Sequence, residues 1–205
     1  MEQKKDVDII PLQYEGQELQ NEAAIEFQHE TDAKSFYLAA REKLLEVNNW
    51  HSIAGLISAR FQVTDQYGNE VNRKVRQGDY LKIDIPGPGS KEGDGFDWVH
   101  VEELKEVGNG AIESVGFRVR PSENPRNHSD GIAHFYDDSA TSNFIVTREE
   151  RTVKAIVIDK NLKPNNESSS VIDKLRNTAV GASALSAFSN IQWKNLVNGI
   201  MDPKT

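Results

Sequence analysis

The sequence predicts an α+β fold, in which a curved antiparallel sheet of six to seven strands grips one long C-terminal helix. Residues 168–201 contain no proline and only four charged side chains, which is typical of a single long helix with an apolar surface. Residues 55–158 instead alternate apolar and polar side chains in short segments that end at turn residues. Because no helical pattern separates these segments, we expect the strands to pair in an antiparallel manner.

The N-terminal part of the domain is predicted to hold one strand and one helix. Residues 24–28 alternate apolar and polar side chains, as a half-buried strand does. Thr31 or Asp32 is expected to cap a helix that ends near Val47, because apolar residues recur at helical spacing in this stretch.

The sheet is predicted from further alternating segments. Residues 86–89, Pro-Gly-Pro-Gly, must end one strand because proline has no amide hydrogen for the ladder. Asn109-Gly110 predicts a tight turn between two others. The candidate segments are residues 55–65, 71–75, 81–85, 98–107, 111–120, 131–136, 143–148 and 152–158.

The predicted C-terminal helix has small side chains in its middle. Residues 179–184 are Ala-Val-Gly-Ala-Ser-Ala, and the serines at 168–170 suit the N-terminal cap region. Short side chains either let the helix approach another backbone closely or leave space beneath it. Both possibilities bear on where a ligand could lie.

Length and charge predict one domain with an acidic leader. The 205 residues suffice for a single core, which we place at 22–205, after a flexible acidic tail at 1–21. Residues 1–32 hold nine acidic side chains and two lysines, a net of -7, so the remaining chain contributes only -1 to the total of -8. No concentrated basic surface is predicted, and we therefore expect neither nucleic acid nor a membrane surface as a partner.

Several chemical classes lack their signatures in this sequence. There is no cysteine, and the N-terminus has no apolar signal-peptide core, so we expect a cytoplasmic protein. No histidine pair at metal-ligand spacing, phosphate-binding glycine motif or nucleophilic serine elbow is present. We predict no metal and no cofactor.

Six polar or aromatic side chains stand out at alternate positions of three predicted strands. If their apolar neighbours pack the core, they face solvent; if the sheet curves the other way, they line a cavity. In a cavity, the histidines and the tyrosine could hydrogen-bond a ligand, and an arginine could hold a carboxylate or phosphate. The candidates are Trp98, His100, Arg118, Arg120, His134 and Tyr136.

The order of predicted elements resembles the START-like or polyketide cyclase-like superfamily, which has the helix-grip fold. Residues 33–38, Ala-Lys-Ser-Phe-Tyr-Leu, through Asn49-Trp50 are similar to the first helix of that family and its following tryptophan. Residues 192–196, Gln-Trp-Lys-Asn-Leu, resemble the tail of its last helix. The resemblance covers about residues 22–200. It implies two short helices early in the chain, where the sequence predicts one, and an internal cavity for a hydrophobic small molecule.

Three hypotheses about function remain open. The first is a binding domain for an apolar or amphipathic small molecule in a cavity between the sheet and the C-terminal helix, lined by the six candidates. The second is an enzyme of the cyclase, isomerase or hydrolase type with His100 or His134 as general base. The third is a protein-interaction module without a small ligand.

Overall fold

The structure, a computed structural model, describes residues 7–55, 59–85, 90–108, 110–127, 131–165 and 179–204. Within them, seven strands and three α-helices form an α+β fold. In chain order they are β1 (Gln17–Glu26), α1 (Glu30–Leu45), a 3₁₀ turn (Val47–Asn49), α2 (Trp50–Ala54), β2 (Arg60–Thr64), β3 (Tyr80–Asp84), β4 (Asp97–Gly108), β5 (Ile112–Pro121), β6 (Thr141–Glu149), β7 (Thr152–Leu162) and α3 (Ala179–Ile200).

The strands form one sheet in the order β1-β7-β6-β5-β4-β3-β2. Every neighbouring pair is antiparallel, so the first strand closes beside the last one and the remaining strands follow as a meander. The helices pack on one face of this sheet, which we call the inner face. The predicted fold class, an antiparallel sheet gripping a C-terminal helix, is confirmed.

The core lies between the inner face and the helices, around a fully buried tryptophan. The ring of Trp50 lies 5.2 Å from Phe61, 6.0 Å from Phe117 and 4.9 Å from Phe144, between ring centroids. Its Nε1 donates to the carbonyl oxygen of Leu44 at 3.1 Å, so its polar atom is also satisfied. Aromatic clusters of this kind contribute beyond the area they bury.

The outer face of the sheet is covered in part by the N-terminal segment, residues 7–10. Val7 and Ile9 are buried there against Ile145. Gly116 in β5 allows this close approach, because a Cβ atom on it would lie only 2.8 Å from Val7 Cγ2. Whether residues 1–21 are flexible stays a prediction, but in the structure residues 7–10 pack against the sheet and residues 17–21 belong to strand β1.

The N-terminal elements differ from their predicted bounds. Strand β1 begins at Gln17 rather than at residue 24, and it pairs with β7 along its length. Helix α1 begins at Glu30, and its N-cap is His29 rather than Thr31 or Asp32. Asp32 instead lies in the first turn, where its charge interacts favourably with the helix dipole.

The second early helix that the resemblance implies is present. Helix α2 has only five residues, Trp50–Ala54, and follows a 3₁₀ turn. A helix this short has no repeating apolar stripe, so periodicity could not reveal it.

Two predicted strands are absent from the described structure, at residues 71–75 and 131–136. The amides of Val71 and Val75 donate to Val63 and to Leu45, in two different elements, so this segment leaves β2 for helix α1. The amide of Phe135 donates to the Asp97 side chain, which also replaces a ladder bond. The predicted Pro-Gly loop at 86–89 and the predicted helix before Ala179 lie outside the described residues.

Candidate functional site

Four of the six predicted site residues lie on the outer face of the sheet. They alternate with Val99, Val101, Phe117 and Val119, which pack in the core on the inner face. Since successive side chains of a strand point to opposite faces, Trp98, His100, Arg118 and Arg120 face away from helix α3. That these residues bind a ligand stays a prediction, but they do not lie between sheet and helix, where the cavity was expected.

The outer-face arginines make contacts within the protein. Arg118 Nε and Arg120 Nε bind Glu102 at 2.7 Å and 2.5 Å. Burial raises the pKa of Glu102, but these hydrogen bonds outweigh it and the net pKa is lowered. Arg118 also donates to the carbonyl oxygen of Ile9 at 2.7 Å, which fastens the N-terminal segment.

Trp98 and His100 also have contacts within the fold. Trp98 is buried, and its Nε1 donates to the carbonyl oxygen of Gly93 at 3.2 Å. His100 stacks on Tyr80 with ring centroids 4.8 Å apart, and burial lowers its pKa.

His134 and Tyr136 lie between β5 and β6, in a segment that packs at the end of the sheet. His134 is buried, and its Nδ1 accepts a hydrogen bond from the amide of Tyr136 at 3.0 Å. Burial lowers the pKa of His134 to about 3, so the ring is neutral at physiological pH. A base this weak, with its acceptor nitrogen already occupied, does not suit general-base catalysis.

Tyr136 is the predicted site residue that faces helix α3. Its side chain is buried, and burial raises the pKa of its hydroxyl. The Ser186 and Ser189 hydroxyls lie close enough to offset part of this rise, and the charge of Asp159 adds to it. Tyr136 therefore lies beside an acidic residue that sequence reasoning did not select.

Asp159 is the central residue of the candidate site. It shares its strand face with Val153, Ala155 and Val157, so strand β7 places a carboxylate on the inner face, where it is only 1% exposed. Trp193 Nε1 donates to its Oδ2 at 2.8 Å. Burial raises the pKa of Asp159 to about 7, although Ser142 and Trp193 lower it in part.

Helix α3 presents its polar side chains to the same region. Ser189, Gln192 and Trp193 are spaced three and four residues apart, so they lie on one face of the helix. The Gln192 Oε1 atom accepts a hydrogen bond from the amide of Ala59 at 2.8 Å, which fixes the orientation of the side-chain amide.

An aromatic wall adjoins these polar groups. The ring centroid of Trp193 lies 5.1 Å from that of Phe144 and 6.1 Å from that of Phe61. The site thus combines an apolar surface with a few polar atoms, as small-molecule sites do.

Four buried polar atoms near the interface between sheet and α3 have no hydrogen-bond partner among the described residues. They offer one carboxylate acceptor, two amide donors and one hydroxyl, which can donate or accept. We call their residues the inner polar cluster. The atoms are Asp159 Oδ1, Asn21 Nδ2, Gln192 Nε2 and Tyr136 Oη. The Ser142 hydroxyl lies near the Asp159 carboxylate, and the Ser186 and Ser189 hydroxyls lie near Tyr136, but none of them meets hydrogen-bond geometry with these four atoms.

Three members of the inner polar cluster, Asp159, Asn21 and Gln192, were not among the candidates predicted from sequence. Strand β7 was predicted to end at residue 158, so Asp159 fell in a connection, and Asn21 fell in the predicted tail. The detectable signal was that Asp159 continues the apolar alternation of Val153, Ala155 and Val157. A carboxylate at that position means either that the strand ends there or that the strand buries an acidic side chain.

An open cleft of about 220 Å³ at the β2–β3 edge is a weaker candidate. Its lining carries both signs of charge, and Lys82 pairs with Glu70 at 2.9 Å. None of its lining side chains, all within the described ranges, holds a buried polar atom that lacks a partner.

No group of three or more histidine, aspartate or glutamate side chains among the described residues could hold a metal ion. No helix in the described ranges is both long and apolar enough to cross a membrane.

Comparison with known proteins adds likenesses of overall structure. No family model matches the sequence, and no curated protein matches it. Protein Ms6760 from Mycobacterium smegmatis has 14% identity and a TM-score of 0.37, over 89% of this chain and 88% of that one. TTHA0849 from Thermus thermophilus has 11% identity and a TM-score of 0.34, over 90% and 94%. Ara h 8.0201 has 8% identity and a TM-score of 0.33, over 88% and 99%. Likenesses this low say nothing about a ligand or an activity.

Proposed function

We propose that this protein is a binding domain that holds an amphipathic small molecule between the inner face of the sheet and helix α3. The observation that supports it is the inner polar cluster, in which four buried polar atoms lack a partner among the described residues. In this proposal the polar end of the ligand lies at Asp159 and Tyr136, and its apolar part lies along Trp193.

Buried polar atoms that lack a hydrogen-bond partner cost free energy. A buried donor or acceptor without a hydrogen bond costs about 1–3 kcal/mol, and native proteins keep few of them. A ligand that pairs with several of these atoms regains that free energy on binding.

The apolar part of the proposed site is an aromatic wall, which Phe61 and Phe144 form with Trp193. The polar atoms fix the orientation of a ligand, while the apolar surface provides most of its burial.

The same proposal assigns the chain to the START-like or polyketide cyclase-like superfamily. The order of the elements and the short helix α2 before β2 support this assignment. Of the six residues predicted from sequence, we retain Tyr136 as a ligand contact. We assign structural roles to Trp98, His100, Arg118, Arg120 and His134.

Native mass spectrometry of the freshly purified protein tests the proposal. We expect a reproducible extra mass that is lost on denaturation and that decreases in Asp159→Asn and Tyr136→Phe. The control is His100→Ala on the outer face, which should retain the extra mass. A clean apo mass, together with no shift in melting temperature from a library of uncharged amphipathic compounds, contradicts the proposal and favours the interaction-module hypothesis.

A further inference from the structure

We infer that the polar group of the ligand is an uncharged hydroxyl, which donates to Asp159 Oδ1 and accepts from the donors of Asn21 or Tyr136. The inference rests on the proposed function and adds the chemical class, an uncharged alcohol. It follows from which atoms of the inner polar cluster are occupied and which are open.

The orientation of the Asp159 carboxylate is fixed by a hydrogen bond to one of its two oxygens. Oδ2 accepts the Trp193 indole hydrogen at 2.8 Å, while Oδ1 is buried and has no partner among the described residues. Burial raises the pKa of Asp159 to about 7, and above that pH the carboxylate is ionised and only accepts hydrogen bonds. A ligand group that meets Oδ1 under those conditions must therefore bring a hydrogen.

The other atoms of the inner polar cluster add the opposite requirement. The amide hydrogens of Asn21 Nδ2 and Gln192 Nε2 need acceptors, and neither has one among the described residues. Tyr136 Oη can donate or accept. The complementary group has one hydrogen to give and lone pairs to offer, which describes a hydroxyl.

Other common polar groups complement the cluster less well. An ammonium has three donors and no acceptor, so the amide donors would stay unpaired. A carboxylate or phosphate would place a second negative charge near Asp159, with no lysine or arginine in the described structure paired with it. A ketone accepts but brings no hydrogen for Oδ1.

The test compares three probes with the same ring: cyclohexanol, methoxycyclohexane and cyclohexanone. Binding is followed at pH 8, where Asp159 is mostly ionised, through the indole N–H signal of Trp193 in proton–nitrogen correlation spectra. The Trp193→Phe variant assigns that signal. We expect cyclohexanol to bind the unaltered protein at least about tenfold more tightly than either other probe, since a hydrogen bond to a charged group contributes about a factor of ten or more.

Asp159→Asn is the decisive variant, because it keeps the shape of the side chain and puts an amide donor where Oδ1 was. It should reverse the preference, so that cyclohexanone binds more tightly than cyclohexanol. The matched control is Asp97→Asn, which alters a second buried aspartate outside the inner polar cluster and should keep the preference for the alcohol.

The outcomes separate this inference from the function on which it rests. Equal binding of the three probes, or a preference for the ketone in the unaltered protein, overturns the hydroxyl assignment and leaves the interior site in place. If no probe shifts the Trp193 signal up to its solubility limit, both the inference and the proposed function are contradicted.

Discussion

Asp97 and Asp159 are both buried, and both have a pKa of about 7. The main cause is the same in each, since burial disfavours the charged form. A backbone hydrogen bond from Phe135 offsets part of the rise at Asp97, and Ser142 and Trp193 do so at Asp159. In the unfolded chain both carboxyl groups have a pKa of about 3.9.

These aspartates therefore couple folding to pH in a defined direction. Between about pH 3.9 and pH 7 the folded state holds protons that the unfolded state has released. The stability contributed by these groups is fully present below that window and is lost as the pH rises through it.

We predict that Asp159→Asn becomes more stable relative to the unaltered protein as the pH rises from 4 to 8. The asparagine does not titrate, so it escapes the cost of ionising a buried carboxyl. Urea unfolding at several pH values measures the difference in the free energy of unfolding, and Asp97→Asn should show the same trend. A difference that does not change with pH would mean that Asp159 titrates alike in the folded and unfolded chains.

Of the inner polar cluster, the sequence could indicate Tyr136 and little more. Tyr136 was selected because polar side chains alternate with apolar ones in its segment. Asp159 was missed since a carboxylate within an apolar alternation contradicts the usual pattern of a strand, and such local violations concentrate at functional sites. Asn21 and Gln192 could not be selected from sequence, because no local pattern shows that a side-chain amide will lack a hydrogen-bond partner in the folded protein.

Helices α2 and α3 meet at Gly199, near the C-terminal end of α3. A Cβ atom on Gly199 would lie only 2.1 Å from the carbonyl oxygen of Ile53, so the two backbones touch there. Leu196 and Ile200 on either side are fully buried in the core. This contact holds the last turns of α3 against the start of the domain.

We predict that Gly199→Ala destabilises the protein by about 1–3 kcal/mol, because the added methyl group must displace backbone atoms. Alanine would otherwise favour the helix by about 1 kcal/mol, so the sign of the change is informative. The exposed neighbour Asn198→Ala is the control and should be neutral or slightly stabilising in thermal unfolding. A stabilised Gly199→Ala variant would show that α2 and α3 do not approach this closely.

The elements were predictable where their pattern is long. Strands β4 and β5 and the C-terminal helix each extend over ten residues or more. The segments at 71–75 and 131–136 alternate as strands do, but their amides bond to strand β2, helix α1, loop residues and side chains. Local alternation cannot tell which partner a backbone amide will find.

Residues 12–15, which follow the N-terminal segment, are held at the end of strand β7 by Asn161. The Asn161 side chain accepts from the amide of Tyr14 at 2.8 Å and from that of Glu15 at 3.2 Å, and it donates to the carbonyl oxygen of Leu12 at 3.1 Å. Its backbone has a φ of 56°, a left-handed conformation that asparagine and glycine adopt most readily. The composition of residues 1–21 predicts a flexible tail because it reflects only the charge of this stretch. It cannot show that the side-chain amide of Asn161 binds residues 12–15.

We predict that Asn161→Gly loosens residues 12–15 and lowers the free energy of unfolding by about 1–3 kcal/mol, since it removes three hydrogen bonds. Glycine keeps the left-handed backbone without strain, so the loss reports the side-chain amide alone. Hydrogen exchange at the Tyr14 and Glu15 amides should accelerate in the variant and be slow in the unaltered protein. Lys163→Ala, which removes an exposed ion pair with Glu15 at 3.1 Å, is the control and should change stability by less than about 1 kcal/mol. If both amides exchange at the unfolded rate before any substitution, the segment is the free tail that its composition predicts, and the outer face of the sheet is open to a partner.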